Sequence, residues 1–385
     1  MIWDRKGLNL TAVEQSELIT WLEEALTIHS DITDEKLFNP HQSQTAADCL
    51  ERWYKKLGQH ELGIKSIKKA GLAFEAIAQK TNALTAIAWL QDLSARYRQV
   101  RLMEDASRVD AAIKARGKEA EGMMSKHEIK IEVSQAEMDK WLDGLLKTSL
   151  SLSLGRIAVA LMTSEERLRK MVEDSAANAP LQSDIAMSIL GEYGFTRATI
   201  GSVKEDMQGR VLNMAATFIG YLAPWLHMAL DRAKKQWSLD ADSLLHWLTQ
   251  SKLFPTHSHG LLREGIEAWF IEDHGKAIHL LVPQVEAALR EWMSALGASP
   301  MEHDSRAGGF KVIGMGDVLR SKVFNDKVDP TLRHHFRALY TEAKGINLRN
   351  QLSHGIVRQE ALHQGTANWV IHSLLAIRTY AHLNK

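Results

Sequence analysis

Arg349 and His354 stand five positions apart in Ile346–Val357, which reads Ile-Asn-Leu-Arg-Asn-Gln-Leu-Ser-His-Gly-Ile-Val, with Asn350 directly after the arginine. Arginine is a permanent cation whose planar fork can grip two phosphate oxygens at once. Histidine ionises near neutrality, so it can take or give a proton during a reaction. Together the pair could hold a phosphodiester and move a proton. The plain alternative is a surface arginine and a helix-end histidine, closed by Gly355 at a left-handed cap position. Residue types alone leave both open.

Several elements must position this pair. Asn347 can cap a short motif helix from Leu348 to Ser353. Before it, Asp329 as cap, Pro330 at the first position and Gly345 past the end bracket another helix. His334 and His335 adjoin its polar face and read as solvated. Further upstream, Ile278, Leu281, Val282, Val285, Leu289, Trp292 and Leu296 trace one face of a helix ending at Gly297, with Pro283 expected to kink it. Glu286 and Arg290 lie one turn apart on its other side. They form either a surface ion pair worth under about 1 kcal/mol, or an arrangement in which Glu286 orients a motif residue.

The residues resemble the HEPN superfamily, whose signature is an arginine, a polar residue and a histidine a few places on. More specifically they resemble an uncharacterised family built around an L-R-N-x-x-x-H-G core, related to the endoplasmic reticulum membrane-associated RNA degradation protein. Gly345–Asn350 and the run Leu280–Arg290 (Leu-Leu-Val-Pro-Gln-Val-Glu-Ala-Ala-Leu-Arg) match that family's pattern. The close resemblance covers about Gly260–Ile377, and a looser one reaches back to about Ser125. It implies a C-terminal helical bundle, Arg349, Asn350 and His354 as catalytic residues, and RNA as the partner. It also implies a homodimer whose motif helices face each other, and it is consistent with a role in stress response or anti-phage defence. HEPN toxins modified by an antitoxin often carry a tyrosine two places after the histidine. Here Ile356 stands there, which argues against that regulation.

The remainder of the chain reads as all-α, in multi-helix bundles with at most one short strand pair, near 127–133. Its 385 residues suffice for two or three domains. The expected division is an N-terminal helical domain over 1–122, a middle helical domain over 123–255 and the HEPN-like domain over 256–385. Thr11 with Glu14, Ser134 with Glu137 and Thr163 with Glu166 read as capping boxes. Alanines recur between 70 and 112, as in tightly paired helices, either a tetratricopeptide-like unit or an ordinary bundle. Residues 298–315 read as an irregular excursion.

Composition narrows the function classes. Lys+Arg and Asp+Glu both number 47, so nucleic acid would have to meet a local basic patch. The single cysteine, Cys49, excludes an intramolecular disulfide and suggests a reducing, cytoplasmic setting. Met1–Gly7 is mixed and charged, unlike a secretory leader. Val211–Leu230 is long enough to cross a bilayer, but Gly220, Pro224 and His227 interrupt it, so it reads as a core helix with no membrane contact. His257 and His259 have no cysteine or clustered acid beside them, so no metal and no other cofactor is expected.

The reading that follows is a metal-independent endoribonuclease. RNA carries its own nucleophile, the 2′-hydroxyl, and products would be a 2′,3′-cyclic phosphate and a 5′-hydroxyl. The N-terminal helices would bind a regulatory protein. The alternatives are a non-catalytic RNA- or nucleotide-binding module and a helical interaction scaffold.

Overall fold

Side-chain caps set most of the helix starts. Thr11 and Ser134 form reciprocal capping boxes with Glu14 and Glu137, and Asn39 and Asn82 each accept the backbone N–H three residues on. In a computed structural model, residues 10–124 and 133–383 are described. The chain is all-α. Among the described residues, strands occur only as two short pairs, Met187–Leu190 with Thr196–Ile200 and Met301–Asp304 with Gly309–Val312. The strand expected over 127–133 lies outside the described residues except for Val133, which is not in a strand. The excursion after Gly297 therefore corrects to an antiparallel hairpin, with Met301 opposite Val312 and His303 opposite Phe310.

The chain divides into two compact units rather than three. The first, Met1–Glu128 with Leu190–Thr196, contains five α-helices among its described residues: Ala12–Ser30, Pro40–Lys56, His60–Lys80, Ala83–Gln99 and Met103–Gly122. Small residues set their spacing, though not all those expected. Ala70, Ala73, Ala83, Ala86 and Ala106 are buried, whereas Ala88, Ala111 and Ala112 are exposed. Gly71 matters most, because a Cβ there would strike the Tyr97 hydroxyl. Trp21, expected inward, is exposed, and Leu22 and Leu26 carry that helix's buried face.

The second unit, Ile129–Ile189 with Arg197–Lys385, has one continuous core running from Leu142 to Tyr380, so no boundary falls near 255. Its centre is the helix Gln364–Leu383, in which every residue from 367 to 377 is buried. A helix buried all round lies inside a bundle, and here Leu150–Ala160, Met207–Trp237 and His274–Ala295 pack against it. Two of its buried polar residues find partners. Asn368 accepts the Trp269 indole N–H at 2.8 Å, and Ser373 accepts the Tyr340 hydroxyl at 2.8 Å. Met207–Trp237 absorbs the apolar stretch 211–230 and continues through Pro224. No helix of the described residues is long and apolar enough to cross a membrane. The capping box expected from Thr163 is replaced by Ser164, whose side chain accepts the Arg167 N–H at the start of Glu165–Asn178.

His334 and His335 are not solvated; they are 2% and 4% exposed. The His335 ring packs against Trp369 and His372, with centroids 5.1 and 5.6 Å away. Burial lowers all three histidines: His372 to about 4, His335 well below its usual value, and His334 less, since Glu165 opposes the shift. Folding thus selects neutral rings, while the unfolded chain takes up protons below about pH 6.5. Stability should fall with pH from there toward 4. Between pH 7 and pH 5 the expected loss is about 2 kcal/mol from His372 alone, read as a lower urea midpoint. An unchanged midpoint would show that these rings are not held neutral.

Candidate functional site

The segment leading into the motif departs from regular helix. The helix capped by Asp329 runs Pro330–Phe336 and then widens into a π-turn, Arg337–Thr341, instead of continuing to Gly345. Glu342 N–H donates to Arg337 O at 2.9 Å, five residues back, and beyond the turn Ile346 N–H folds back to donate to Ala338 O at 2.7 Å. Gly345 is needed for close approach, since a Cβ would collide with the Ala338 carbonyl oxygen. The following loop is tied from outside. Arg197 donates to Ala343 O at 3.0 Å and to Gly345 O at 2.7 Å. Lys344 pairs with Asp206, the cap of Met207–Trp237. Burial pushes the Asp206 carboxyl up, but Lys344 and the Gly209 and Gly201 N–H groups outweigh it and hold it below the usual range.

Asn347 then turns the chain with φ 63° and ψ 31°, a left-handed conformation that asparagine tolerates better than most residues. It does not cap the motif helix Leu348–Ser353 as expected; no side-chain cap bond forms. Instead its side-chain oxygen accepts the Asn350 amide at 2.7 Å, and that amide also donates to Thr341 O at 3.3 Å. The two asparagines therefore lock the motif helix onto the π-turn. Leu348, 2% exposed, anchors it in the core.

Glu286 is the centre of the site. It is no surface residue, with its side chain 11% exposed. Its Oε2 accepts Arg349 Nε at 2.9 Å, and its Oε1 accepts Arg349 Nη2 at 3.3 Å. The same Oε1 accepts Arg290 Nη1 at 2.9 Å and the Met315 backbone N–H at 3.1 Å. Of the two readings of Glu286, the orienting one describes this geometry: it carries Arg290 and fixes Arg349 by the side of its fork. Arg349 Nη1 meets Asn350 Oδ1 at 3.3 Å. A guanidinium has five N–H donors, so one remains on each terminal nitrogen of Arg349. With one carboxylate between two guanidiniums, the cluster keeps a positive charge.

His354 stands apart. It ends the motif helix, followed by Gly355 at φ +65°. Gly355 N–H donates to Leu352 O at 3.1 Å and Ile356 N–H to Gln351 O at 3.0 Å, a full left-handed cap. The helix-end reading is thus correct for the backbone. The His354 side chain is exposed and bonds to none of the described residues. Five residues advance about 140° around a helix, so Arg349 and His354 of one chain point in different directions.

Thus Arg349, Glu286 and Arg290 come together, Asn347 and Asn350 come together, and His354 joins neither group. Sequence reasoning missed Met315 N–H and Thr341 O, because backbone groups carry no sequence signal. It also missed Glu342, which accepts Arg337 Nε at 2.9 Å and Arg320 Nη1 at 3.4 Å. An acid–base pair at five-residue spacing, matching a π-turn rather than an α-turn, could have signalled it. His259 bonds to Phe254 O at 2.9 Å in a local turn, and no group of His, Cys, Asp or Glu among the described residues could hold a metal ion.

Comparison of the chain with family models, curated proteins and solved structures finds no match.

The geometry orders the effects of three substitutions. Glu286→Gln leaves two adjacent guanidiniums without their anion and should destabilise by about 2–4 kcal/mol. Arg290→Gln keeps the Arg349 and Met315 bonds and should cost about 1 kcal/mol. Gly345→Ala should cost roughly 1–3 kcal/mol through the clash with Ala338. Urea midpoints check the order; Arg290→Gln matching Glu286→Gln would place the dependence elsewhere.

Proposed function

We propose that this chain is a HEPN-type endoribonuclease that needs no metal for its chemistry. In this reading the free donors at the end of the Arg349 fork hold a phosphate oxygen of the RNA. His354 takes the proton of the 2′-hydroxyl, whose oxygen attacks the adjacent phosphorus. The bond to the 5′-oxygen breaks, and that oxygen leaves with a proton from a second acid. The products are a 2′,3′-cyclic phosphate and a 5′-hydroxyl. DNA lacks the nucleophile and is not cut.

The observation that carries the reading is the Glu286 clamp. It holds Arg349 in one orientation while leaving net positive charge and two unspent donors, on the same short helix that ends in an exposed, unengaged His354. Preorganised donors of this kind are how a developing phosphate charge is stabilised. The reaction also benefits from an acid and a base, and one chain offers one motif histidine. The different directions of Arg349 and His354 favour a homodimer in which a second motif helix completes the cleft. The N-terminal unit is then free to take a regulatory protein.

One observation favours a second reading. The side of the Arg349 fork best shaped for bidentate phosphate binding already holds Glu286. A module that binds RNA without cutting it requires no more than the remaining donors.

The test is cleavage of end-labelled total RNA and tRNA by the purified chain in excess EDTA. The proposal expects cyclic-phosphate ends, with rates about 100-fold lower or more in His354→Ala and in Arg349→Ala. Undiminished cleavage by His354→Ala would remove the motif from the mechanism. RNA binding that Arg349→Ala weakens, with no cleavage by the wild-type chain, would establish the binding module instead.

A further inference from the structure

The helix Met207–Trp237 carries a half-buried stripe that the motif loop does not use and that borders the core only through Met214 and Phe218. Arg210, Asn213, Met214, Thr217, Phe218 and Tyr221 recur at steps of three and four residues and so share one face. They line one wall of a cavity of about 630 Å3. The facing wall comes from the helix Glu165–Asn178, through Met171, Ser175 and Ala176, and from Gln182 beyond it. A volume in the range of roughly 300–1,000 Å3 is that of a small-molecule site.

The cavity is graded along its length. Its polar end has Arg210 and Asn213; its far end has Phe218 and Tyr221, whose rings meet edge to face at 5.9 Å. Eleven residues of helix separate Arg210 from Tyr221, which is about 16 Å. The intervening walls are mainly apolar, with Met171, Met187 and Met214 among them. Methionine is pliable enough to close around chains of different shape.

Arg210 gives the polar end its chemistry. Its Nε donates to Gly201 O at 2.8 Å and its Nη2 donates to Ile185 O, so the guanidinium is held in place by carbonyls. Among the described residues it has no carboxylate partner, and its Nη1 donors are unspent. Arginine does not lose its proton in a protein, so the charge persists. Arg349, by contrast, has its own carboxylate. The Asn213 side chain, one turn along, also has no bond to a described residue.

We propose that this groove binds a single-chain anionic amphiphile. A carboxylate or phosphate head sits at Arg210 and Asn213, and an apolar chain runs past Met214 and Phe218 toward Tyr221. A wholly apolar ligand would leave Arg210 without a counter-charge. An amphipathic peptide helix, about 10–12 Å across, would need about twice this volume or more over the same length. The inference is independent of the ribonuclease reading, since it uses no motif residue.

The test is isothermal titration of the full chain with laurate, decanoate, dodecyl phosphate, dodecanol and inorganic phosphate, each below its micellar concentration. Laurate and dodecyl phosphate should bind saturably, one per chain, and whichever is tighter identifies the head group. Decanoate, two methylenes shorter, should bind about tenfold more weakly than laurate. Dodecanol should bind at least about tenfold more weakly than laurate, and inorganic phosphate should show no heat. Arg210→Gln should weaken laurate about tenfold and leave dodecanol unchanged. Ser175→Trp, a substitution at an exposed wall position, should abolish binding of every amphiphile. Thermal unfolding reports whether each variant folds. Should Arg210→Gln not fold, the dodecanol comparison and Ser175→Trp still decide. Equal binding of dodecanol and laurate, binding that survives Ser175→Trp, binding of inorganic phosphate alone, or no binding of laurate would each overturn the proposal.

Discussion

One carboxylate cancels one positive charge, and Glu286 serves two. Removing charges from water is costly unless they are paired and their hydrogen bonds met. Glu286 meets that condition by accepting from Arg290, from Nε and Nη2 along one side of the Arg349 fork and from the Met315 backbone. It thereby ties the helix His274–Ala295 to the motif helix and to the start of Met315–Arg320. These elements are far apart in sequence and share one core, and Glu286 is the polar side chain that joins all three. The orientation of Arg349, and so any grip on an anion, follows from it. The unbalanced charge that remains is available to a ligand.

A second constraint acts through the backbone. The π-turn Arg337–Thr341 sends one carbonyl, Ala338 O, to Ile346 and leaves another, Thr341 O, for Asn350. A regular helix would spend such carbonyls on its own next turn. The widened turn is therefore what lets the motif helix dock. Gly345 permits that approach, and Arg197 and Asp206 hold the loop from the other side.

Local features were legible in the residues. The boxes at Thr11 and Ser134 formed because a cap and its acid three residues on satisfy each other without help from distant chain. Gly355 closed the motif helix for the same reason: its left-handed conformation is a local requirement. Features that depend on distant packing were misread. His334 and His335 look polar in sequence, but Trp369 and His372 bury His335, and Glu165 comes to the side of His334. Asn347 looks like a cap, but its left-handed backbone and the Asn350 amide give its side chain another partner. The expected boundary near 255 vanished because helices on both sides of it share one core around Gln364–Leu383.

By itself the sequence determined the all-α class, most helix starts and stops, and the stretch in which chemistry-bearing residues cluster. These follow from periodicity and from hydrogen bonds reaching three or four residues, interactions that need only the local chain. The tertiary structure alone decided that Glu286 meets Arg349 across 63 positions, and that Arg210 has backbone carbonyls but, among the described residues, no carboxylate. Those outcomes depend on which surfaces the bundle brings together. Burial, not residue type, then sets whether a charge finds a partner or is left for a ligand.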